Sequence, residues 1–296
     1  MNIRSALSDT KIDFMRLNKL CLTLSIFFMT LSLVLVFTKG LNFGIDFAGG
    51  ILIEVRINDN YEISQVRELL SAQIKDVQIQ NIGEKDLLIR LSKTDENQQA
   101  VISEIQQILG QKFSNIEYRK IDYVGPQVGA ELILKGLMAL LLSFVFIMIY
   151  IWVRFDWQFG LGGIFALLHD AVVVLGFYAL IGLEFNLTSI AAILTVIGYS
   201  INDSVVIYDR IRENIRRHKK MDLSNLINSS INSTLSRTII TAGVTLVSIL
   251  ALVFFGGEAL YSFSVATFFG IVIGTYSSIY ISAPILLYID PRKKEE

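Results

Sequence analysis

Apolar and polar positions alternate along this chain on two different length scales. Apolar runs occupy residues 20–37, 132–152, 159–181, 185–208, 238–255 and 260–288, with charged side chains largely confined to their ends. Crossing roughly 30 Å of hydrocarbon takes about 20 helical residues, so these runs predict six membrane-spanning helices. The last run is long enough to tilt or to overhang the bilayer. Between the first two runs the pattern becomes that of a soluble domain. It reads as a strand over 51–57, an amphipathic helix over 63–74, a strand over 77–82, a turn at Gly83-Glu84-Lys85-Asp86, a strand over 87–91, a helix over 96–109 and a strand over 116–123. That order, βαββαβ, is the one of a ferredoxin-like α+β domain. Its sheet is expected to carry helices on one face and to leave the other free for a partner.

Lysine and arginine set the expected orientation, because they concentrate in cytoplasmic connections. Arg4, Lys11, Arg16 and Lys19 precede the first run, and Arg154 separates the second and third. Arg210, Arg212, Arg216, Arg217, Lys219 and Lys220 crowd the connection after the fourth run, and Arg292, Lys293 and Lys294 follow the last. The turns at 182–184 and 256–259 have neither lysine nor arginine. Both termini are therefore expected in the cytoplasm, with the βαββαβ domain on the far side. The predicted organisation is a cytoplasmic segment 1–19, a first transmembrane helix 20–38, an extracytoplasmic domain 39–131, a five-helix domain 132–288 with a cytoplasmic connection 209–236, and a cytoplasmic tail 289–296. The first run reads as a retained anchor, since its apolar core is too long for a signal peptide and no A-x-A site follows it.

Composition narrows the function. Hydrophobic residues make up 53% of the chain and charged residues 18%, with a mean hydropathy of +0.55; ordinary soluble domains are less apolar and more charged. A net charge of -1 without a basic stripe on the far side speaks against nucleic acid as partner. Cys21 is the single cysteine, so neither an intrachain disulfide nor a cysteine zinc site is expected. No HExxH occurs, and Tyr208-Asp209 has no downstream GxGD partner, which speaks against an intramembrane protease.

Ionisable residues inside the runs carry the candidate chemistry, because each costs about 2.5–3.5 kcal/mol at the centre of a span and demands a partner or a purpose. They are Lys135, His169, Asp170, Asp203 and Arg237. Lys135 sits about a turn inside its run and can snorkel to the headgroups as an anchor, with Glu131 beside it. Asp203 and Arg237 lie at similar depth on consecutive antiparallel runs and are expected to meet. Pairing favours the charged carboxylate and desolvation the neutral acid, which leaves such a group poised between two states. A static ion pair that fixes helix register is the alternative. His169 and Asp170 are a possible second proton station, yet neighbours on a helix point about 100° apart, so a single interhelical hydrogen bond is the competing account; Asn202 beside Asp203 has the same ambiguity. Gly270 and Gly274 form a GxxxG, extended by Ala266, Ser277 and Ser278 into a small-residue face for close helix packing. Asp46 lacks a companion at metal-ligand spacing, and Gly49 and Gly50 are expected to let the chain turn from membrane to sheet.

Three separated motifs carry a family resemblance: Phe43-Gly44-Ile45-Asp46-Phe47-Ala48-Gly49-Gly50, Val124-Gly125-Pro126-Gln127-Val128-Gly129, and Gly198-Tyr199-Ser200-Ile201-Asn202-Asp203 through Asp209-Arg210-Ile211-Arg212-Glu213-Asn214. Together they resemble the SecF family, which belongs with SecD to the proton-driven resistance-nodulation-division (RND) type. The resemblance extends over essentially the whole chain. It implies an RND-type half that pairs with SecD, docks on SecYEG and uses the proton gradient, without cofactor or metal, to help secreted polypeptides leave; it also implies a role in proton movement for Asp203 and Arg237. A self-contained RND-type exporter of small molecules and a non-titrating membrane scaffold are the competing functions.

Overall fold

The computed structural model describes residues 11–59, 61–74, 77–82, 85–91 and 98–294. Arg4, the turn positions Gly83 and Glu84, and the first residues of the helix expected from 96 lie outside them. The chain divides into two compact units, residues 43–137 and the remainder.

The first long helix is α1 (Asn18–Thr38). Within the second unit follow β1 (Gly50–Ile57), α2 (Ile63–Ser71), β2 (Val77–Asn81), β3 (Asp86–Leu91), α3 (Gln98–Lys112) and β4 (Ile116–Val124). The order βαββαβ is the one the periodicity predicts. The three strand pairs of this four-stranded sheet are antiparallel, in the order β2-β3-β1-β4. Alternation along β1 explains why one face is closed: Ile51, Ile53, Val55 and Ile57 are buried, and with Ile79, Leu87, Ile89 and Leu91 they meet Val66, Leu70, Val101, Ile105 and Leu109 from the two helices. On the opposite face Leu52 and Leu88 stand among polar and charged residues. There Arg56 donates to both carboxylate oxygens of Asp86, at 2.8 and 2.9 Å, and Arg119 approaches the same carboxylate at 3.4 Å.

The hydrogen bonds from Arg56 hold the Asp86 carboxyl below the ordinary carboxylate range. Its folded-state value is therefore depressed, and the stability it contributes is present above pH ~4 and lost as acid protonates the folded carboxyl. Both side chains are partly exposed, so the contribution is about 1 kcal/mol or less. Asp86→Asn is expected to abolish that increment and its acid dependence, read as lower amide protection factors along β1 and β3 of the intact protein at neutral pH that then stay unchanged on mild acidification.

Five further long segments follow: α4 (Pro126–Arg154), α5 (Trp157–Ile181), α6 (Leu187–Arg217), α7 (Leu223–Phe255) and α8 (Gly257–Ser277), which continues through a π-helical stretch, Ser278–Ser282, into α9 (Ala283–Tyr288). With α1 they supply six helices long and apolar enough to cross a membrane. The most apolar windows of α5, α6 and the α8–α9 segment are 56, 50 and 61% buried, whereas those of α1, α4 and α7 are 11, 6 and 17% buried. Three helices thus form the centre of this unit, and the other three present most of their apolar surface outward. The boundaries have local causes. Gly182, at φ +76°, ends α5 in the left-handed conformation glycine tolerates. Asn186 begins α6 with a reciprocal capping box to Ser189, and the Asp222 carboxylate accepts from Ser224 and Asn225 backbone N–H groups at the start of α7. Pro284 has no N–H to give and crowds the carbonyl a turn earlier, which accounts for the widened stretch before it.

The connection expected over 209–236 is mostly helix: α6 continues to Arg217 and α7 starts at Leu223. Asparagines on the first turns of α7 hold the chain before α1. Asn232 accepts from the Ile12 N–H at 2.9 Å and donates to the Ile12 carbonyl at 2.8 Å, while Asn228 accepts from the Met15 N–H and donates to Asp13. Asn232→Ala removes both bonds to Ile12, about 1 kcal/mol; limited proteolysis is expected to cleave the variant faster around residues 11–16.

Candidate functional site: two buried carboxylates

The helical unit buries a file of polar side chains where α5, α6, α7 and α8 meet. Asp203 on α6 is 7% exposed. The Thr238 hydroxyl donates to its Oδ1 at 2.5 Å, and the Ser278 hydroxyl to its Oδ2 at 2.9 Å. Thr238 comes from α7 and Ser278 from the first residue of the π-helical stretch. Asp170, midway along α5, is fully buried. Its Oδ2 accepts from Ser200 of α6 at 2.6 Å and Ser277 of α8 at 2.7 Å, and its Oδ1 lies 3.0 Å from Nδ1 of His169. A third group continues the file: the Ser282 hydroxyl donates to the buried Tyr208 hydroxyl at 2.6 Å, and the Tyr208 ring packs edge-on against Phe159 and Phe155.

Small residues make this crowding possible. A Cβ on Gly270 would collide with Val196 of α6, and one on Gly274 would come within 3.0 Å of Ser200 Cβ. α8 therefore lies close enough to α6 for serine hydroxyls, with their short reach, to bond carboxylates across the interface. Gly162 plays the corresponding part for α5, since its Cβ would stand 2.6 Å from the Ser282 carbonyl oxygen.

Two expectations need correction. Arg237 forms no direct ion pair with Asp203: it is exposed and acts on that carboxylate only electrostatically, from beyond salt-bridge distance. Thr238, the next residue along α7, takes the position instead. Matching depth is not matching direction, because successive helical residues point about 100° apart. Nor does Asp170 make a single interhelical bond; it makes two, and His169 bends back onto it despite being its neighbour. Asn202 is exposed and stays out of the cluster. Ser277 and Ser278, expected only as packing residues, are ligands of the two carboxylates, and Ser200 and Thr238 were not distinguished at all. One signal for them was available: Ser200 precedes Asp203 by three residues, hence shares its helix face.

The glycine motifs lie in the other unit, around the ends of the sheet domain. Asp46 belongs to a short helical turn, Ile45–Ala48, followed by Gly49 and Gly50 at φ +73° and +128°. Both values fall where a side chain is strained, so these two positions demand glycine. Gly50 pairs with Val124 in the sheet, just before Gly125 and Pro126. A Cβ on Gly129 would stand 2.9 Å from the Phe47 carbonyl oxygen. The two motifs, distant in sequence, thus form one structural piece. Lys135 pairs with Glu131 at 2.8 Å along α4. Among the described residues no group of three or more histidine, cysteine, aspartate or glutamate side chains is placed to hold a metal.

Comparisons with known proteins agree on a family. Residues 104–292 match the profile described as protein export membrane protein SecD/SecF, C-terminal, and residues 34–59 that of the SecD/SecF GG motif. Protein translocase subunit SecF from Rickettsia bellii is 54% identical over 288 residues, 96% of this chain and 95% of the relative. The subunit of the same name from Rickettsia prowazekii is 53% identical over 285 residues, 95% of this chain and 92% of the relative. Among solved structures, the translocon-associated membrane protein SecDF from Thermus superposes with a TM-score of 0.86 at 37% identity, over 96% of this chain. SecDF in its super-membrane-facing form gives 0.73 at 36% identity over 97%. The chain spans 39 and 40% of those two proteins. With its six apolar helices, its sheet domain and these relatives, this multi-pass membrane protein belongs to the SecF family of protein translocase subunits.

Proposed function

We propose that this chain is the SecF-type half of a proton-driven machine that assists protein export, that it pairs with a SecD-type half, and that Asp203 is its proton carrier. The observation that carries this reading is the setting of Asp203: a carboxyl nearly out of solvent, held by two hydroxyls and by no salt bridge, with Arg237 acting on it only from a distance. A buried carboxylate without a cationic partner is expensive, and taking up a proton removes that expense. Arg237 stands one residue from Thr238, so a rotation of α7 by about 100° would exchange the hydroxyl for the guanidinium. The carboxyl then alternates between a paired charged form and an unpaired protonated form, each suited to a different setting of α7 against α6.

The remaining roles follow from charge placement and from kinship. The lysine and arginine pattern supports an inner-membrane orientation with both termini in the cytoplasm and residues 39–131 outside it. SecDF relatives, of which this chain matches two-fifths, support SecD as the missing half and the SecYEG channel as the docking site. The polar sheet face of the outer domain is the surface on which an emerging polypeptide would rest. Each proton crossing 100 mV yields about 2.3 kcal/mol, so a few suffice for a domain movement. The chain acts as a transport component, neither as an enzyme nor with a cofactor. In the reconstituted complex, proton-dependent release of a secreted chain tests the reading: full release with Asn at position 203 would leave Asp203 a register-fixing group.

A further inference from the structure

We propose that Asp170 is a second proton-holding carboxyl, tied to Asp203 through the adjacent serines Ser277 and Ser278; this rests on the reading of Asp203 as a carrier and extends it. Asp170 is more enclosed than Asp203, and among the described residues its only nitrogen partner is the side chain of His169. Around it stand Ser200 from α6 and Ser277 from α8, while Tyr276 packs its ring 6.2 Å from that of His169 and donates to the Cys21 carbonyl of α1 at 2.8 Å. The titratable side chains facing this region are His169, Tyr276, Tyr280 against the Tyr276 ring, Cys21 and Asp203, and Arg237 acts on Asp203 from a distance. Among the described residues no lysine or arginine pairs with either aspartate.

The serines are arranged for two states. A hydroxyl has one proton to give and two lone pairs to receive. Ser277 Oγ lies 2.7 Å from Asp170 and 3.1 Å from the Gly274 carbonyl oxygen; Ser278 Oγ lies 2.9 Å from Asp203 and 3.0 Å from the Thr275 carbonyl oxygen. With the carboxylate ionised, the serine donates to it. When a carboxylate oxygen gains a proton and forms an O–H bond, that group donates to the serine oxygen, and the serine proton swings to the carbonyl one turn back. No polar atom loses its partner in either state, which is the condition for a buried group to change charge at low cost.

Coupling comes from position. Ser277 and Ser278 are successive residues that face different helices, one bound to the carboxylate of α5 and the other to that of α6. They stand where α8 passes into its π-helical stretch. A shift of this backbone that follows one carboxyl must move the partner of the other. Ser200 adds a second link, because it bonds Asp170 from the same face of α6 that carries Asp203.

Infrared difference spectra of the intact complex with its SecD-type partner, recorded while the pH is lowered, test the proposal through the stretching band of protonated carboxyl groups. Wild type is expected to show two buried contributions. Asp170→Asn should remove one and Asp203→Asn the other. Ser277→Ala takes a hydrogen bond from Asp170 while leaving the carboxyl in place; it is expected to move the Asp170 band to higher frequency and leave the Asp203 band where it was, with Ser278→Ala giving the reverse. An Asp170→Asn spectrum identical to wild type would overturn the proposal. If that variant fails to assemble, an unchanged band in Ser277→Ala does the same. An unchanged spectrum in Asp203→Asn alone would overturn the carrier reading and leave the Asp170 band to be judged by itself.

Discussion

Asp203→Asn is expected to reduce proton-driven release of an exported chain to the level seen without a proton gradient, while the complex assembles in normal amount. The amide has the size of the carboxyl, and its oxygen can still accept from Thr238 or Ser278. One of the two hydroxyls loses an ionised acceptor, a cost of about 1.5–3 kcal/mol at most, and Ser278 has the Thr275 carbonyl to turn to. Stability therefore falls little, whereas titration is lost altogether. Asp203→Glu provides the contrast: it keeps the proton but must fit one more methylene into a closed site, so partial release with weaker assembly is expected. Release, complex yield and proton uptake by vesicles, measured side by side, separate the two variants.

The largest effect on assembly is expected at Gly176. A Cβ there would collide with the Ser32 side chain and stand 2.6 Å from Ser32 Cα, a backbone atom that no rotamer change can move. α1 would have to leave α5, and with it the serine and tyrosine contacts that join α1 to α8. Overpacking by a single methylene typically costs about 1–3 kcal/mol where side chains can yield, so Gly176→Ala should exceed that range and Gly176→Val should abolish the folded protein. Detergent-solubilised yield and the thermal midpoint of what remains are the measurements. Gly274→Ala serves as comparison, because its Cβ would meet only Ser200 at 3.0 Å; a smaller shift is expected there.

How far the fold could be read from the chain depended on which force dictated each element. Six spans were legible because a bilayer tolerates only long apolar helices, and the sheet domain because period-2 and period-3.6 patterns alternate cleanly between Ile51 and Tyr123. The helical continuation of α6 to Arg217 was legible as well, since Asp209, Arg210, Arg212, Glu213, Arg216 and Arg217 fall at helical spacings, and Glu213 pairs with both Arg210 and Arg217. At the site, depth was legible and direction was not. Asp203 and Arg237 share a level, yet the rotation of α7 that presents Thr238 is set by packing among helices distant in sequence. The serines escaped notice for a related reason: a small polar residue serves close packing and hydrogen bonding alike, and only the neighbour across the interface decides which. Gly176 and Gly162 likewise reveal their importance only once Ser32 and Ser282 are seen pressing on them.

The closure of the sheet domain at Gly50, Val124 and Gly129 makes that domain a cassette. Its incoming and outgoing strands leave through one doorway, so the segment between them can grow, shrink or be exchanged for a graft without altering the two membrane helices it interrupts. Lengthening a flexible loop carries only a slow logarithmic penalty, so insertions between β1 and β4 are cheap, whereas Gly50 and Gly129 stay under strict steric constraint.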